Sequence, residues 1–209
     1  VYRDGAGQIL RNPAPAEPVD MDSIPFFYRD APAADWQHHI IYYESSRGCP
    51  FRCSYCLSAN ERKVRLRSLS LVLPELQFFL DAGVPQVKFV DRTFNCDHDR
   101  TLKIWTYLRD HDNGITNFHF EIEAELLTEE EIRLLHSLRP GQVQLEIGVQ
   151  STNEQTLASV NRRQDFSHLA EVVRKVTAGR NVHQHLDLIA GLPLEGMASF
   201  HRSFNDVYS

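Results

Sequence analysis

The sequence of 209 residues lacks any apolar run approaching the ~20 residues that a membrane-spanning helix requires, and no signal peptide opens it. Cysteine is scarce, with four residues in the whole chain, which excludes the evenly spread disulfide framework of a small secreted domain. An excess of positive charge is missing as well. With 22 Lys and Arg against 28 Asp and Glu, the net charge of −6 argues against generic nucleic-acid binding by phosphate neutralisation, although a local basic groove stays open. What is present, 42% hydrophobic and 24% charged residues, is the composition of an ordinary globular domain long enough for one sizeable core. The first residue is Val1 rather than methionine, as in a processed or excised piece. Three of the cysteines crowd into eight residues, which points to metal in a reducing compartment and hence to a cytoplasmic protein without a membrane partner.

Residues 1–37 read differently from the rest. Asn12 to Pro18 is a Pro/Ala stretch with little periodicity, as expected of an extended linker, and Ser23 to Tyr28 carries apolar residues that would pin it to a folded body. Residues 38–209 then alternate strand and helix. His38–Glu44, Gln86–Asp91, Asn117–Glu123, Gln142–Val149 and Val182–Ala190 have the length and composition of strands. Helices are expected at about 70–82, 98–112, 128–138, 153–160, 166–178 and 197–207, the third opened by the capping box of Thr128 and Glu131.

Five βα units in succession imply a parallel sheet with right-handed crossovers. The strand faces choose between its two forms. Phe118, Phe120 and Ile122 oppose His119, Glu121 and Glu123; Val143, Leu145, Ile147 and Val149 oppose Gln144, Glu146, Gly148 and Gln150; Leu186, Leu188 and Ala190 oppose His183, His185 and Asp187. A doubly wound sheet buries both faces and reads as continuous apolar runs. One apolar and one ionisable face instead predict an α/β fold of the TIM-barrel type with a polar lumen. Five units fall short of the eight that close such a barrel, so the expectation is a partial, incomplete β/α barrel preceded by an extended N-terminal linker. Among the lumen charges, Lys88 is the expected internal partner of the carboxylates, since buried charges are costly unless paired.

Chemistry concentrates in Cys49-Pro-Phe-Arg-Cys53-Ser-Tyr-Cys56, which follows the first strand at the carboxyl end where barrel enzymes place their sites. Three thiolates can each bind one iron of a 4Fe–4S cubane, leaving the fourth iron open to a substrate. A zinc site completed by Cys96 or a histidine accounts for the spacing too, and would suit a zinc-stabilised nucleic-acid-binding module.

Glu44-Ser45-Ser46-Arg47-Gly48-Cys49 through Cys56 resembles the signature of the radical S-adenosylmethionine (SAM) superfamily. Glu146 to Ser151 and Asp187 to Pro193 resemble strand motifs of the branch that contains oxygen-independent coproporphyrinogen oxidases, methylthiotransferases and cobalamin-binding radical enzymes. The resemblance covers roughly residues 38–207. It implies an iron–sulfur enzyme of oxidoreductase or transferase type, with Cys49, Cys53 and Cys56 as metal ligands of a cluster that cleaves SAM to a 5′-deoxyadenosyl radical. It further implies that Tyr55 lies against the adenine and that Asp91 meets the methionine ammonium. Glu123, Gln150, Ser151 and Asp187 match positions around the ribose and methionine, and Arg162, with Arg163 one residue away, matches an arginine that pairs with the methionine carboxylate. Arg92 stands where many relatives have a second acid. The Pro-rich segment 11–25 resembles the linker behind a cobalamin domain, which would lie outside this chain, and a reductant such as flavodoxin or ferredoxin is implied as partner. A methylthiotransferase acting on RNA is the alternative within the family; it needs a second cysteine set, and only Cys96 remains. Cys96 reads as a non-ligand, the basic run Glu61 to Arg67 as a solvated face or an anion contact, and the substrate is not assigned.

Overall fold

A computed structural model of the protein describes residues 1–12, 18–30, 36, 39–60 and 63–208. The central sheet has five strands, β1 (Ile40–Tyr43), β2 (Gln86–Phe89), β3 (Asn117–Ile122), β4 (Val143–Gln150) and β5 (His183–Leu188). All neighbours pair in parallel and in chain order, without the reversal that defines a doubly wound sheet. This is the partial β/α barrel expected from the strand faces. Four strands are shorter than expected at their ends, the fourth keeps its length but runs one residue later, from Val143 to Gln150, and His38, expected to open the first, lies outside the described residues.

Helices α1 (Leu69–Asp81), α2 (His98–Asp110), α3 (Glu129–His136), α4 (Glu154–Ser159), α5 (Phe166–Ala178) and α6 (Met197–Tyr208) connect the strands or follow them. Their starts are written in the sequence. Asp97, Thr128, Asn153 and Asp165 each accept a backbone N–H of the first turn, and Thr128 with Glu131 forms the complete capping box. The apolar strand face packs under the helices, where Val87, Phe89, Phe118, Phe120, Val143 and Leu145 are fully buried. Phe120 gathers Phe89 and Phe94 at ring-centroid distances of 4.5 and 4.3 Å, and Trp105 of α2 closes the cluster. Because Phe94 belongs to the loop after β2, that loop is anchored into the core from below.

The opposite face is polar and pairs internally. Register places Lys88 beside His119, His119 beside Gln144, and Glu121 beside Glu146, itself beside His185. Lys88 Nζ donates to Glu146 Oε2 at 2.8 Å, the pairing expected of the only lysine on these strand faces. Gln144 Nε2 lies 2.9 Å from His119 Nδ1, and His119 Nε2 lies 3.0 Å from Glu146 Oε2.

N-terminal to the sheet, residues 18–30 form a strap over α1. Phe26 meets Phe78 and Phe79 edge-on at 5.4 Å each, and Tyr28 donates its hydroxyl to the Tyr42 carbonyl. Arg67 donates to the Met21 and Ile24 carbonyls while paired with the buried Glu75 carboxylate, which also accepts the Tyr43 hydroxyl at 2.6 Å. Arg65 donates to the Val19 carbonyl. The reading of Arg65 and Arg67 as a solvated face or an anion contact is therefore corrected: both hold the strap, and Arg67 is buried. Glu61 and Arg62 of that run lie outside the described residues.

Candidate cluster and cofactor site

The cysteine loop is tied down on both sides. After β1, Ser45 donates its N–H (2.7 Å) and its hydroxyl (2.6 Å) to the Asp91 carboxylate, and its carbonyl accepts Arg67 N–H and Arg100 Nη2. Ser46–Arg47 pairs antiparallel with Arg65–Leu66, so the returning chain crosses directly over Gly48. A Cβ at Gly48 would stand 2.7 Å from the Lys63 carbonyl oxygen, and its φ of +104° adds a second reason for glycine. On the far side Ser54 N–H donates to the Val160 carbonyl at 2.8 Å, and Asn161 Nδ2 donates to the Arg52 carbonyl at 2.8 Å. Cys56 N–H donates to the Cys53 carbonyl, curling the end of the loop.

Cys49, Cys53 and Cys56 then line one cavity of about 180 Å³ at the carboxyl end of the sheet, together with Tyr55, Glu123, Gln150, Arg162 and Asp187. Thus all three expected ligands and five of the seven expected cofactor contacts come together, from a loop, three strand ends and the turn after α4. Glu123 and Arg162 form the electrostatic centre. Arg162 Nη2 donates to Glu123 Oε2 at 2.9 Å and to the Gly148 carbonyl, its Nε donates to Gln164, and its Nη1 lies 3.8 Å from Cys53 Sγ. Burial pushes the Glu123 carboxyl up against the pull of Arg162; burial also works to lower the Arg162 guanidinium, and Glu123, Tyr55 and Cys53 together hold it raised. The Tyr55 phenol, half-buried between Arg162 and Cys53, is pushed up to about 12, chiefly by burial. Arg163 does not reach this cavity and lines a neighbouring one.

Gln150 enters by a local distortion. The register between β4 and β5 shifts between Gly148 and Gln150, and Gln150 takes a left-handed φ of +67°. Its amide lies across Gly148, where a Cβ would stand 2.1 Å from Nε2. A bulge with a non-glycine residue at positive φ is backbone strain held by the surrounding sheet, a feature that clusters at functional sites. Asp187 faces the cavity from β5 with its carboxyl pushed up by burial and by Glu146 nearby.

Two of the expected contacts are placed elsewhere. Asp91 is only 1% exposed and sits beneath the cysteine loop, where its two oxygens are taken by Ser45, and Ser46 adds further hydrogen bonds. Burial pushes this carboxyl up against those bonds. Ser151, fully buried, donates to Glu195 Oε1 at 2.6 Å and accepts Asn153 N–H, joining β4 to the segment before α6. Each side chain is committed to its neighbours before any ligand arrives. Two residues that the sequence pattern does not single out complete the site. Asn95, fully buried, donates to the Glu123 carbonyl and accepts Glu123 N–H, fixing that residue as a paired strand would. Thr93 Oγ1 lies 3.3 Å from Cys49 Sγ. Neither carries a periodic signal; only the run of polar residues around the anchoring Phe94 hints at them.

The residues fit the iron–sulfur cluster that the resemblance implies. Among the described residues no three His, Cys, Asp or Glu side chains converge as around a single ion. Three soft donors instead border a shared volume, the donor set of an iron–sulfur cluster. Beside them Glu123 Oε1 is buried without a hydrogen-bond partner, an acceptor left over for a ligand in the cavity.

Comparison with known proteins agrees with this geometry. The family model described as the Radical SAM superfamily matches residues 43–207. A curated relative from Streptantibioticus cattleyicolor, 2-(S-pantetheinyl)-carbapenam-3-carboxylate methyltransferase, is 25% identical over 165 residues, covering 76% of this chain and 24% of that protein. Among solved structures, the radical S-adenosylmethionine methyltransferase TsrM from Kitasatospora setae, with cobalamin and a 4Fe–4S cluster bound, superposes with a TM-score of 0.68 at 18% identity, over 81% of this chain and 32% of that one. Coproporphyrinogen III oxidase (HemN) from Escherichia coli gives 0.58 at 19% identity, over 80% and 41%. The chain thus spans about a quarter of the curated relative's length and a third to two fifths of these two structures' lengths.

Proposed function

Because the chain belongs to the radical SAM superfamily, whose members are enzymes that bind a 4Fe–4S cluster and SAM, we propose that its cavity is the cluster and SAM site of a radical enzyme core. The observation that carries this reading is the meeting of three cysteines with the Glu123–Arg162 pair around one cavity. When bound, the cluster supplies the electron that splits a carbon–sulfur bond of SAM into methionine and a 5′-deoxyadenosyl radical.

The chain's own side chains do the rest. Cys49, Cys53 and Cys56 provide thiolates from a loop already held by Asp91 and Val160, so little ordering cost remains when the cluster binds. The guanidinium of Arg162 is aimed from the turn after α4, and with Glu123, Gly148 and Gln164 holding Nη2 and Nε it keeps an Nη1 N–H and its positive charge for the methionine carboxylate. Glu123 Oε1 accepts from an ammonium or a hydroxyl, and Gln150 and Asp187 flank the ribose. Tyr55, 38% exposed at the cavity edge, offers its ring face to the adenine. Glu146 lines the same cavity, and Lys88 and His119 beside it carry the polar lumen face onward to where the substrate would lie.

For the protein as a whole we propose a cobalamin-binding radical SAM enzyme whose cobalamin domain lies outside this chain. The cobalamin in the Kitasatospora structure and the Pro-rich segment 11–25 support that reading. Its reductant would be a flavodoxin or ferredoxin. Anaerobic reconstitution of this chain with iron and sulfide should give iron–sulfur absorbance that vanishes in the C49S/C53S/C56S variant. Reduction with SAM present should then release 5′-deoxyadenosine. Stoichiometric zinc with no cluster absorbance under any condition would sink the proposal.

A further inference from the structure

We infer that Thr93 and Arg162 set the reduction potential of the cluster by hydrogen-bonding two of its three thiolates, Thr93 on Cys49 and Arg162 on Cys53. The inference rests on the cluster reading above and goes beyond it. Thr93 Oγ1 is 3.3 Å from Cys49 Sγ, and Arg162 Nη1 is 3.8 Å from Cys53 Sγ, both within the range of hydrogen bonds to sulfur.

Both donors are held rather than free to drift. Thr93 is 4% exposed, its carbonyl accepts Cys96 N–H, and the next residue, Phe94, is anchored in the aromatic core. Its hydroxyl also stands 2.8 Å from the Arg92 carbonyl oxygen, so one proton serves two acceptors. An iron-bound thiolate is anionic and cannot donate, so it draws that proton more strongly than a neutral carbonyl does. Arg162 is fixed by Glu123, the Gly148 carbonyl and Gln164, and its Nη1 is the nitrogen that faces the sulfur.

Hydrogen bonds to cluster sulfurs are among the levers that set iron–sulfur potentials. Adding one electron to the cluster raises the negative charge on its thiolates, so a donor stabilises the reduced form more than the oxidised form. Thr93 and Arg162 therefore raise the potential, and removing either donor lowers it.

The measurement is an anaerobic titration of the reconstituted chain with titanium(III) citrate, in the absence of SAM, followed by electron paramagnetic resonance of the one-electron-reduced cluster. Thr93→Val keeps the shape and deletes the donor. Its potential should move to more negative values at unchanged iron content, Thr93→Ser should return it towards the wild type, and Arg162→Gln should lower it as well. Coincident titrations of the wild type and Thr93→Val, both fully loaded, would overturn the inference. A second measurement needs no variant. Exchange into D2O should shift the iron–thiolate stretching bands of the wild type in resonance Raman spectra, and no shift would likewise overturn it. A wild type that takes up no iron would instead refute the cluster reading itself, a distinguishable failure.

Discussion

Glu123 presents its two carboxylate oxygens to different worlds. Oε2 is bonded to Arg162, while Oε1 is buried and has no partner among the described residues. A buried acceptor without a donor is costly, so a ligand that supplies one gains at this position. Glu123→Gln removes the charge that steadies Arg162 and places an amide donor where a carboxylate oxygen stood. Hydrogen bonds to charged groups contribute about 1.5–3 kcal/mol, so the variant should bind SAM some ten- to a hundredfold more weakly. Equilibrium binding to the cluster-loaded protein checks this, with iron content unchanged. The lumen pair shows the same principle satisfied: burial works to raise the Glu146 carboxyl, and Lys88 and His119 together outweigh it and keep the group below its ordinary value. At residue scale the cysteines and Lys88 were legible by chemistry and face, and Arg162 through the resemblance of its motif. It did not separate Glu123, which faces the cavity, from Asp91, which is consumed by Ser45, because both are carboxylates ending a strand.

At the scale of elements, helix starts were legible and strand ends were not. Capping is a local device, and the Thr128 box of α3 appears where its sequence places it. Glu131 is fully buried there, its Oε2 accepting the Thr128 N–H and hydroxyl and its Oε1 3.2 Å from His98 Nδ1. Thr128→Ala should therefore cost about 1–2 kcal/mol, the upper part of the usual capping range, read as a lower urea midpoint at unchanged slope. Strand ends depend on the neighbouring strand. The bulge that turns Gln150 into the cavity arises where β4 meets β5, and no property of Gln150 by itself announces a φ of +67°. The loops after β1 and β2 likewise become a site only through each other, Ser45 holding Asp91 and Cys49 meeting Thr93.

Across the whole molecule, the strap of residues 18–30 and the barrel wall share one buried ion pair. Arg67 joins Glu75 of α1 to the Met21 and Ile24 carbonyls, and Asp22 accepts the N–H and hydroxyl of Ser68, the residue that precedes α1. Arg67→Met leaves the Glu75 charge buried, with the Tyr43 hydroxyl as its one remaining hydrogen-bond partner among the described residues. Breaking such a pair from one side costs about 3–5 kcal/mol, whereas Arg67→Met with Glu75→Leu should recover much of that loss. Thermal unfolding of the single and double variants tests this ordering. No helix of the described chain is long and apolar enough to cross a membrane, in keeping with the lack of apolar runs.

The sequence by itself determined the alternation of strand and helix, the polar lumen, the helix starts and the three thiolates. These follow from side-chain period, local capping and residue chemistry, which are properties of short stretches. Only the tertiary structure decided which polar groups remain available to a ligand. Asp91 and Ser151 are spent on Ser45 and Glu195, Arg67 on the strap, while Glu123 keeps one oxygen free and Thr93 faces Cys49. The reason is that a hydrogen-bonding group pairs with whatever the fold brings within about 3 Å, and those partners lie 28 to 46 residues away for Asn95 and Asp91 alike.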